Sequence, residues 1–564
     1  MQLIKFSVSN GIELIRKITF KDGINIITNE GVDGNQIGKS TALRSLNFCL
    51  GSDGESIWRD PDSKNINDDI YNLVTNGGMV FELILKVNGI DYKIKRTIEK
   101  KLTKRGVNLI RYSWINDKSF TGIDSFRKGI ADVFGYVVEK PKYNSIKNRF
   151  VRLDKTTANK TYRFQNIYTK DDDYILIYSH LFGFEGHKEL TKEIELEQEN
   201  KISQARITSL LSDRSEQYYL DKLKSIDDEI EILRLKEESY DITGIQNQTI
   251  DKLRRHRTNI ARYSSEISNI ETKILYNTRT IDNYNAKIEN VDVDTIKSIY
   301  EEALTLISNV TKSLEETIDF HNSVFKKKAE YVSKQVVTLD EELKLKQKIL
   351  NQELIKEKEL IKSISNESHL SGFILIEKAI QDKKEERGKA SFVIEEIADI
   401  REQIKANNSK IKELKVKIEE FSEELEKNLS IFNSFCKSIS KKVFKTFSLQ
   451  LSSRIDSNGC LKFSVVNEDK VAGDGAPRAA SMAFDLAMVE YVKESKAKLP
   501  EFTIQDYLEP TDEDKLFELI QVANKFKTQT VISVLNDKLR LLDKKTLQKN
   551  TVLELSPTNK FFKI

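Results

Sequence analysis

The amino-acid sequence predicts an α/β head assembled from the N- and C-terminal segments, with a long antiparallel α-helical coiled-coil insertion between them. Three observations predict it. Prolines are confined to the two ends, apolar residues recur with a heptad period through the middle, and a phosphate-type loop at Lys39 finds no acidic partner before Asp506.

Length and composition set the frame. A chain of 564 residues exceeds one ordinary domain. Its 32% charged and 39% hydrophobic residues suit long exposed helices better than a single compact core. With 91 basic and 88 acidic side chains the net charge is only +3, so any nucleic-acid surface must be a local patch. Cys49, Cys436 and Cys460 lie far apart, which excludes a disulfide scaffold and a zinc site, and the five histidines have no ligand spacing. The start MQLIKFSVSNGIELI lacks the blocks of a signal peptide, and no apolar run approaches the roughly 20 residues of a membrane span. The expectation is a soluble cytoplasmic protein with no membrane partner.

Proline breaks helices, and none lies between Pro141 and Pro477. Glycine thins over the same stretch, leaving only Gly244, Gly372 and Gly388 between Gly186 and Gly459. Within it, Val393, Ile397, Ile400, Ile404, Asn407, Ile411, Leu414, Ile418, Phe421, Leu425 and Asn428 alternate steps of three and four, the mark of a coiled-coil seam. Another seam runs from Ile260 through Ile267, Ile270 and Asn277 to Ile288, and a shorter one from Leu223 to Leu233. Asparagines at seam positions are expected to fix register at some cost in stability. Breaks near Asp241–Gly244, Val291–Asp294 and Ser365–Gly372 are candidate turns, so the arm has room to fold back more than once. The flanks carry short strand-like runs: Gln2–Val8, Ile24–Thr28 and the hairpin Met79–Ile98 on one side, Phe447–Ile455, Leu461–Val466, Phe502–Gln505 and Thr530–Val534 on the other. The expected organisation is therefore 1–186 and 436–564 as the two halves of a head, with arms over 187–435.

The motif INIITNEGVDGNQIGKST runs from a β-branched strand through a glycine-bearing loop into a helix. That order aims backbone N–H groups and a helix N-terminus at a phosphate, with Lys39 for the β/γ-phosphates and Ser40 for Mg²⁺. Asp33, Gly34, Asn35, Gly38 and Thr41 complete the candidate loop; Asp33 stands where the usual pattern has its first glycine. A carboxylate must hold the metal from the end of a neighbouring apolar strand, and the best candidate is Asp506 in LPEFTIQDYLEPTDE. Bringing Asp506 to Lys39 requires the helical tract to go out and return.

With these residues the chain resembles the SMC and double-strand-break-repair branch of the ABC ATPases, more narrowly the SMC-like subunits of bacterial three-component defence systems such as Lamassu. The motif above, VAGDGAPRAASMAFDLAMVEYV and LPEFTIQDYLEPTDEDKLFELI carry the resemblance. It implies ATP and Mg²⁺ as cofactors, and a homodimer whose two heads close on two ATP molecules. Gly473, Asp474 and Gly475 fall where the signature loop would be, although Ala472 and Asp474 replace its usual serine and second glycine. The catalytic glutamate position holds Tyr507, the switch-histidine position holds Asn536, and Glu509 lies close in sequence as a substitute base. A missing general base implies slow turnover. Asp512 fits a contact position after the metal strand, and Gln165 and Arg152 compete for the position that bridges metal and attacking water.

Basic residues cluster around Lys100, Lys101, Lys104 and Arg105, and again around Lys147 and Arg149, with Tyr112, Trp114, Tyr143 and Phe150 interleaved. Such a surface would grip duplex DNA through its backbone; the alternative is a solvated charged face. The resemblance adds a separate effector, nuclease in type, and a small accessory subunit as partners. The function expected is an ATP-gated DNA sensor or loader that restrains an effector in anti-phage defence. Two alternatives share these motifs: a DNA-repair or chromosome-organising ATPase, and a weakly hydrolysing, nucleotide-stabilised scaffold.

Overall fold

The computed structural model describes the chain except for residues 12, 32–35, 61–63, 104–105, 137, 139, 167–168, 239–246, 290–313, 364–366, 468–469 and 471–475. Its strands are β1 (Gln2–Asn10), β2 (Glu13–Thr19), β3 (Ile24–Asn29), β4 (Met79–Val87), β5 (Ile90–Thr103), β6 (Gly106–Ile115), β7 (Lys118–Thr121), β8 (Val151–Arg152), β9 (Gln450–Ile455), β10 (Leu461–Val466), β11 (Phe502–Gln505), β12 (Gln529–Ser533) and β13 (Thr551–Leu555). The helices before residue 240 are α1 (Lys39–Cys49), α2 (Asp68–Thr75), α3 (Ile123–Val133), α4 (Tyr143–Phe150), α5 (Lys155–Ala158), α6 (Asp171–Leu181), α7 (His187–Leu211) and α8 (Glu216–Glu238). Beyond it lie α9 (Asn247–Glu289), α10 (Leu314–Ser363), α11 (Glu367–Glu420), α12 (Ser422–Phe444), α13 (Ala476–Ser495), α14 (Glu513–Phe526) and α15 (Lys544–Asn550). The described residues divide into two compact units, one of Met1–Ile194 with Glu413–Ile564, the other of 195–289 with 314–412.

The first unit is built from both ends of the sequence. Its parallel sheet has the order β13-β3-β12-β11-β8. β3, from the N-terminal segment, pairs in parallel with β12 on one side and β13 on the other, and β8 extends the sheet beyond β11. Every residue of β3, β11 and β12 is buried. Successive side chains face opposite ways along a strand, so both faces of this sheet are covered. Burying each of Ile24, Ile26 and Ile27 contributes roughly 1.5–3 kcal/mol. The second sheet is antiparallel, in the order β2-β1-β4-β5-β6-β7. β4 alternates buried and half-exposed residues, so only one face packs on the core and the other meets solvent. Helix α13 is buried nearly all round, against α12, α14 and β11.

The second unit holds the expected seams in a folded-back arrangement. α8 and α11 run antiparallel: Arg401 pairs with Glu216, Lys222 with Glu386 at 2.9 Å, and Lys383 with Glu229 at 2.6 Å. α9 and α10 also run antiparallel, joined by His256–Glu353 at 2.8 Å and Lys346–Glu266 at 2.6 Å. α9 lies parallel to α11, where Gln381 Nε2 donates to Ser264 Oγ at 3.0 Å and Ser268 Oγ donates to the Glu385 carbonyl at 3.4 Å. The insertion is thus a re-entrant helical bundle in which a second hairpin lies back along the first. Val393, Ile397 and Ile400 are buried with Ile207 and Leu210, and Ile226 and Ile230 with Ile380. Asn407 Nδ2 donates to Asn200 Oδ1 at 3.1 Å, a polar pair at the expected register position. The lower seam differs from expectation: Ile418 and Leu425 pack in the core of the first unit, and Asn428 donates to the Phe182 carbonyl at 2.9 Å. The candidate turns at 241–244 and 291–294 lie outside the described residues, as does 365, whereas Gly372 lies inside α11. Among the described residues no helix is long and apolar enough to cross a membrane.

Candidate nucleotide site

The all-buried strand β3 ends in the phosphate-type loop, and α1 begins at Lys39 directly after Gly38. Gly38 has φ +96°, and a Cβ there would lie 2.6 Å from Cβ of Phe561, so this turn requires glycine. The Phe561 N–H donates to the Ile37 carbonyl at 3.1 Å, and Arg16 Nε donates to the Phe561 carbonyl at 2.9 Å. Asp33, Gly34 and Asn35 lie outside the described residues. Lys39 and Ser40 are the first two residues of α1, where the N–H groups of the first turn and the helix dipole favour an anion. Lys39 is buried; that burial lowers its pKa, and the charges of Glu509, Asp506 and Asp537 oppose the shift.

β11 delivers its carboxylate to the same place. Ser40 Oγ donates to Asp506 Oδ1 at 3.2 Å. Asp506 is 1% exposed, and its second oxygen, Oδ2, has no hydrogen-bond partner. A buried carboxylate oxygen left unpaired costs about 1–3 kcal/mol or more. A cation would satisfy it, so a serine hydroxyl beside this oxygen is a donor set that fits a hard divalent ion. Glu509 belongs to the same group: burial raises its pKa, assisted by Asp506, while Lys39 and Arg478 pull it down. Asn536 enters through its backbone, its N–H donating to Asn29 Oδ1 at 2.9 Å. Asp512 stands at the N-cap of α14, exposed and paired with Lys515.

Tyr507 has φ +56°, an uncommon conformation for a bulky residue, and its phenol accepts from Arg44 Nη2 at 3.1 Å. Arg44 is one turn beyond Ser40 on α1 and so shares its face. The turn at Tyr507 is held from behind by Arg478, whose Nη2 donates to the Asp506 carbonyl at 2.7 Å and to Gln505 Oε1 at 2.8 Å, and whose Nε donates to the Tyr507 carbonyl at 3.2 Å. Neither arginine was singled out from sequence. Arg478 had a signal, a lone cation in the apolar run APRAASMAFDLAMV. Gly473, Asp474 and Gly475, just before α13, lie outside the described residues.

Gln165 donates through Nε2 to the Ser145 carbonyl at 2.7 Å and accepts at Oε1 from Asn148 at 3.1 Å, so both ends of its amide serve the fold. Arg152 is buried, donating to Ser481 Oγ at 2.8 Å and lying 3.4 Å from Asp485 Oδ2. Arg149 is fully buried against the same Asp485, which also accepts from Gln505 Nε2 at 2.9 Å.

The structure removes two residues from the expected DNA surface. Lys147 and Arg149 cannot contact DNA, because both are buried. Lys147 Nζ donates to Asn47 Oδ1 at 2.8 Å, and burial lowers its pKa to about 7. Arg96, in the middle of the other basic run, is also buried, donating to the carbonyls of Phe48 and Ser52 at the C-terminal end of α1. Arg96 complements the negative end of the helix that begins at Lys39. Lys100 and Lys101 are exposed; Lys104 and Arg105 lie outside the described residues.

A helix that opens at Lys39 on a parallel sheet shared by both chain ends, with helical arms inserted between those ends, makes a split α/β head. The chain is similar to Lamassu protein LmuB of Bacillus cereus (strain VD014), with 25% identity over 296 residues that make up 50% of this chain and 44% of that relative. The match thus spans less than half of the relative's length. Residues 439–564 match a family described as an uncharacterised protein conserved in bacteria, DUF2326. Two solved structures are also similar. One is an Smc head domain with a coiled coil and joint from Pyrococcus yayanosii, at 15% identity and TM-score 0.36 over 98% of this chain and 94% of that one. The other is an Smc head bound to the C-winged helix domain of ScpA, at 9% identity and TM-score 0.39 over 99% and 94%.

Proposed function

We propose that this chain is an ATPase that couples nucleotide binding in its head to engagement of double-stranded DNA and to control of a separate effector in anti-phage defence. The observation that carries the reading is the 3.2 Å contact of Ser40 Oγ with Asp506 Oδ1 beside the unpaired Oδ2. Ser40 and Asp506 would hold Mg²⁺, which neutralises charge on the β- and γ-phosphates when bound. Lys39 binds the phosphates, and Arg478 holds the backbone that presents Asp506.

Tyr507 supports slow turnover, because a phenol with a reference pKa near 10 is a poor base at neutral pH. We assign Glu509 as the residue that takes a proton from water; its burial raises its pKa, which favours that role. The likeness to a Lamassu protein supports the defence role, and with it a homodimer through ATP-sandwiched heads, a nuclease-type effector and a small accessory subunit. The scaffold alternative is favoured by the Arg44–Tyr507 hydrogen bond, which occupies the place of a catalytic glutamate with a pair that has no base.

Retention of linear duplex DNA by the full chain tests the reading. ATP with Mg²⁺ should raise retention in the wild type and have no effect in Lys39→Ala. Equal retention in both, with and without ATP, would remove the nucleotide gate.

A further inference from the structure

The solvent face of the antiparallel sheet carries a feature that the nucleotide site does not use. Lys95 on β5 pairs across from Trp114 on β6, and Thr97 from Tyr112. Tyr112 and Trp114, two residues apart on one strand, share a face. Their rings stack, with centroids 6.3 Å apart and planes 24° from parallel. Lys95 Nζ stands 5.4 Å from the Trp114 ring, and Lys101 Nζ 5.9 Å from the Tyr112 ring. The opposite face of these strands supplies the core through Ile94, Arg96, Ile98, Ser113 and Ile115, all buried. Tyr112 and Trp114 are only half-buried and add nothing to that core. Two carboxylates share this face: Glu82, across the sheet from Lys95, forms an ion pair at 2.9 Å with Lys93, and Glu99, two residues before Lys101 on β5, acts on Lys101, while Lys95 stands over Trp114.

We propose that the Tyr112–Trp114 pair, with Lys95 and Lys101, is a binding platform for single-stranded nucleic acid. Consecutive aromatic rings on a sheet face stack bases, and flanking ammonium groups neutralise the phosphates between them. A duplex is the wrong occupant, because its bases are already stacked on one another and offer no free face to a ring. The proposal deepens the DNA reading above, and it rests on that reading only for its role beside the nucleotide-gated duplex contact. A junction or a frayed end would present both kinds of strand to one head.

The protein contains two tryptophans, and the other, Trp58, is buried at 5% exposure, so Trp114 reports on this face. A short oligothymidine titrated into the full chain without nucleotide should quench the exposed component of the fluorescence to saturation. Tyr112→Ala with Trp114→Ala should weaken oligothymidine binding, followed by anisotropy, about tenfold or more. Blunt-duplex affinity should be unchanged, Trp114→Phe should keep most of the binding, and retained buried emission from Trp58 shows that a variant is folded. Unquenched Trp114 at saturating oligothymidine, or equal losses for oligothymidine and duplex, would overturn the platform. Either result leaves ATP-dependent duplex retention intact, whereas failure of that retention leaves the quenching intact.

Discussion

Ser40 and Asp506 are separated by 466 positions in sequence, yet their side chains meet at 3.2 Å. The contact exists because β3 lies beside β12 and β12 beside β11 in one parallel sheet, which sets the loop after one strand next to the acid after the other. Ligand sites in open parallel sheets form at these C-terminal strand ends.

Glu509 should carry the residual hydrolysis. Glu509→Gln is expected to remove most of the steady-state phosphate release, and Tyr507→Phe to leave it nearly unchanged. A base acts only when deprotonated, and burial raises this carboxyl's pKa. The rate should therefore rise with pH through a midpoint above the usual carboxylate value of about 4.3. Phosphate release measured across pH checks both points; a flat profile in the acid range, or full activity in Glu509→Gln, assigns the base elsewhere.

Much of this head was legible in the sequence, for reasons that differ residue by residue. The strands at Ile24 and Phe502 are short β-branched or apolar runs bounded by turn residues, and the tetrad after the first of them fixes its chemistry. Periodicity located the seams, but it cannot report which helix a seam faces, so the re-entrant bundle depended on long-range pairing such as Gln381 with Ser264. Charge clustering misplaced Lys147 and Arg149. Neighbouring lysines and arginines in a sequence do not share a face, and here α4 turns these two inward, onto the end of α1 and onto Asp485. Glu509 could be named but not located, because its place depends on the turn that Arg478 holds.

Asp485 should be a stability residue rather than a catalytic one. It faces Arg149 and Arg152, all three essentially fully buried. Removing one partner of a buried ion pair leaves uncompensated charge and costs about 3–5 kcal/mol. Asp485→Ala is expected to lower the urea midpoint of the head strongly, while Lys101→Ala, on the surface, leaves it unchanged. Urea unfolding of the two variants side by side makes the comparison.

Lys147 predicts a pH dependence of opposite origin. Its pKa falls to about 7 in the folded protein and is about 10.4 in an unfolded chain, so between these values the unfolded state binds more protons. Its contribution to stability therefore rises with pH across that window and is constant below about 7. Lys147→Met should flatten the rise in urea midpoint between neutral and mildly alkaline pH relative to the wild type. Parallel curves for the two proteins would show that the lysine is charged when folded.

A double-mutant cycle on Mg²⁺-dependent ATP affinity tests most directly whether one metal-dependent nucleotide site is assembled from both ends of the chain. Ser40→Ala and Asp506→Asn should each abolish most of the Mg²⁺ dependence, and the double variant should bind ATP no more weakly than the worse single one, since contacting residues that serve one ion are not additive. Strictly additive losses, or Mg²⁺ dependence that survives Asp506→Asn, would contradict it.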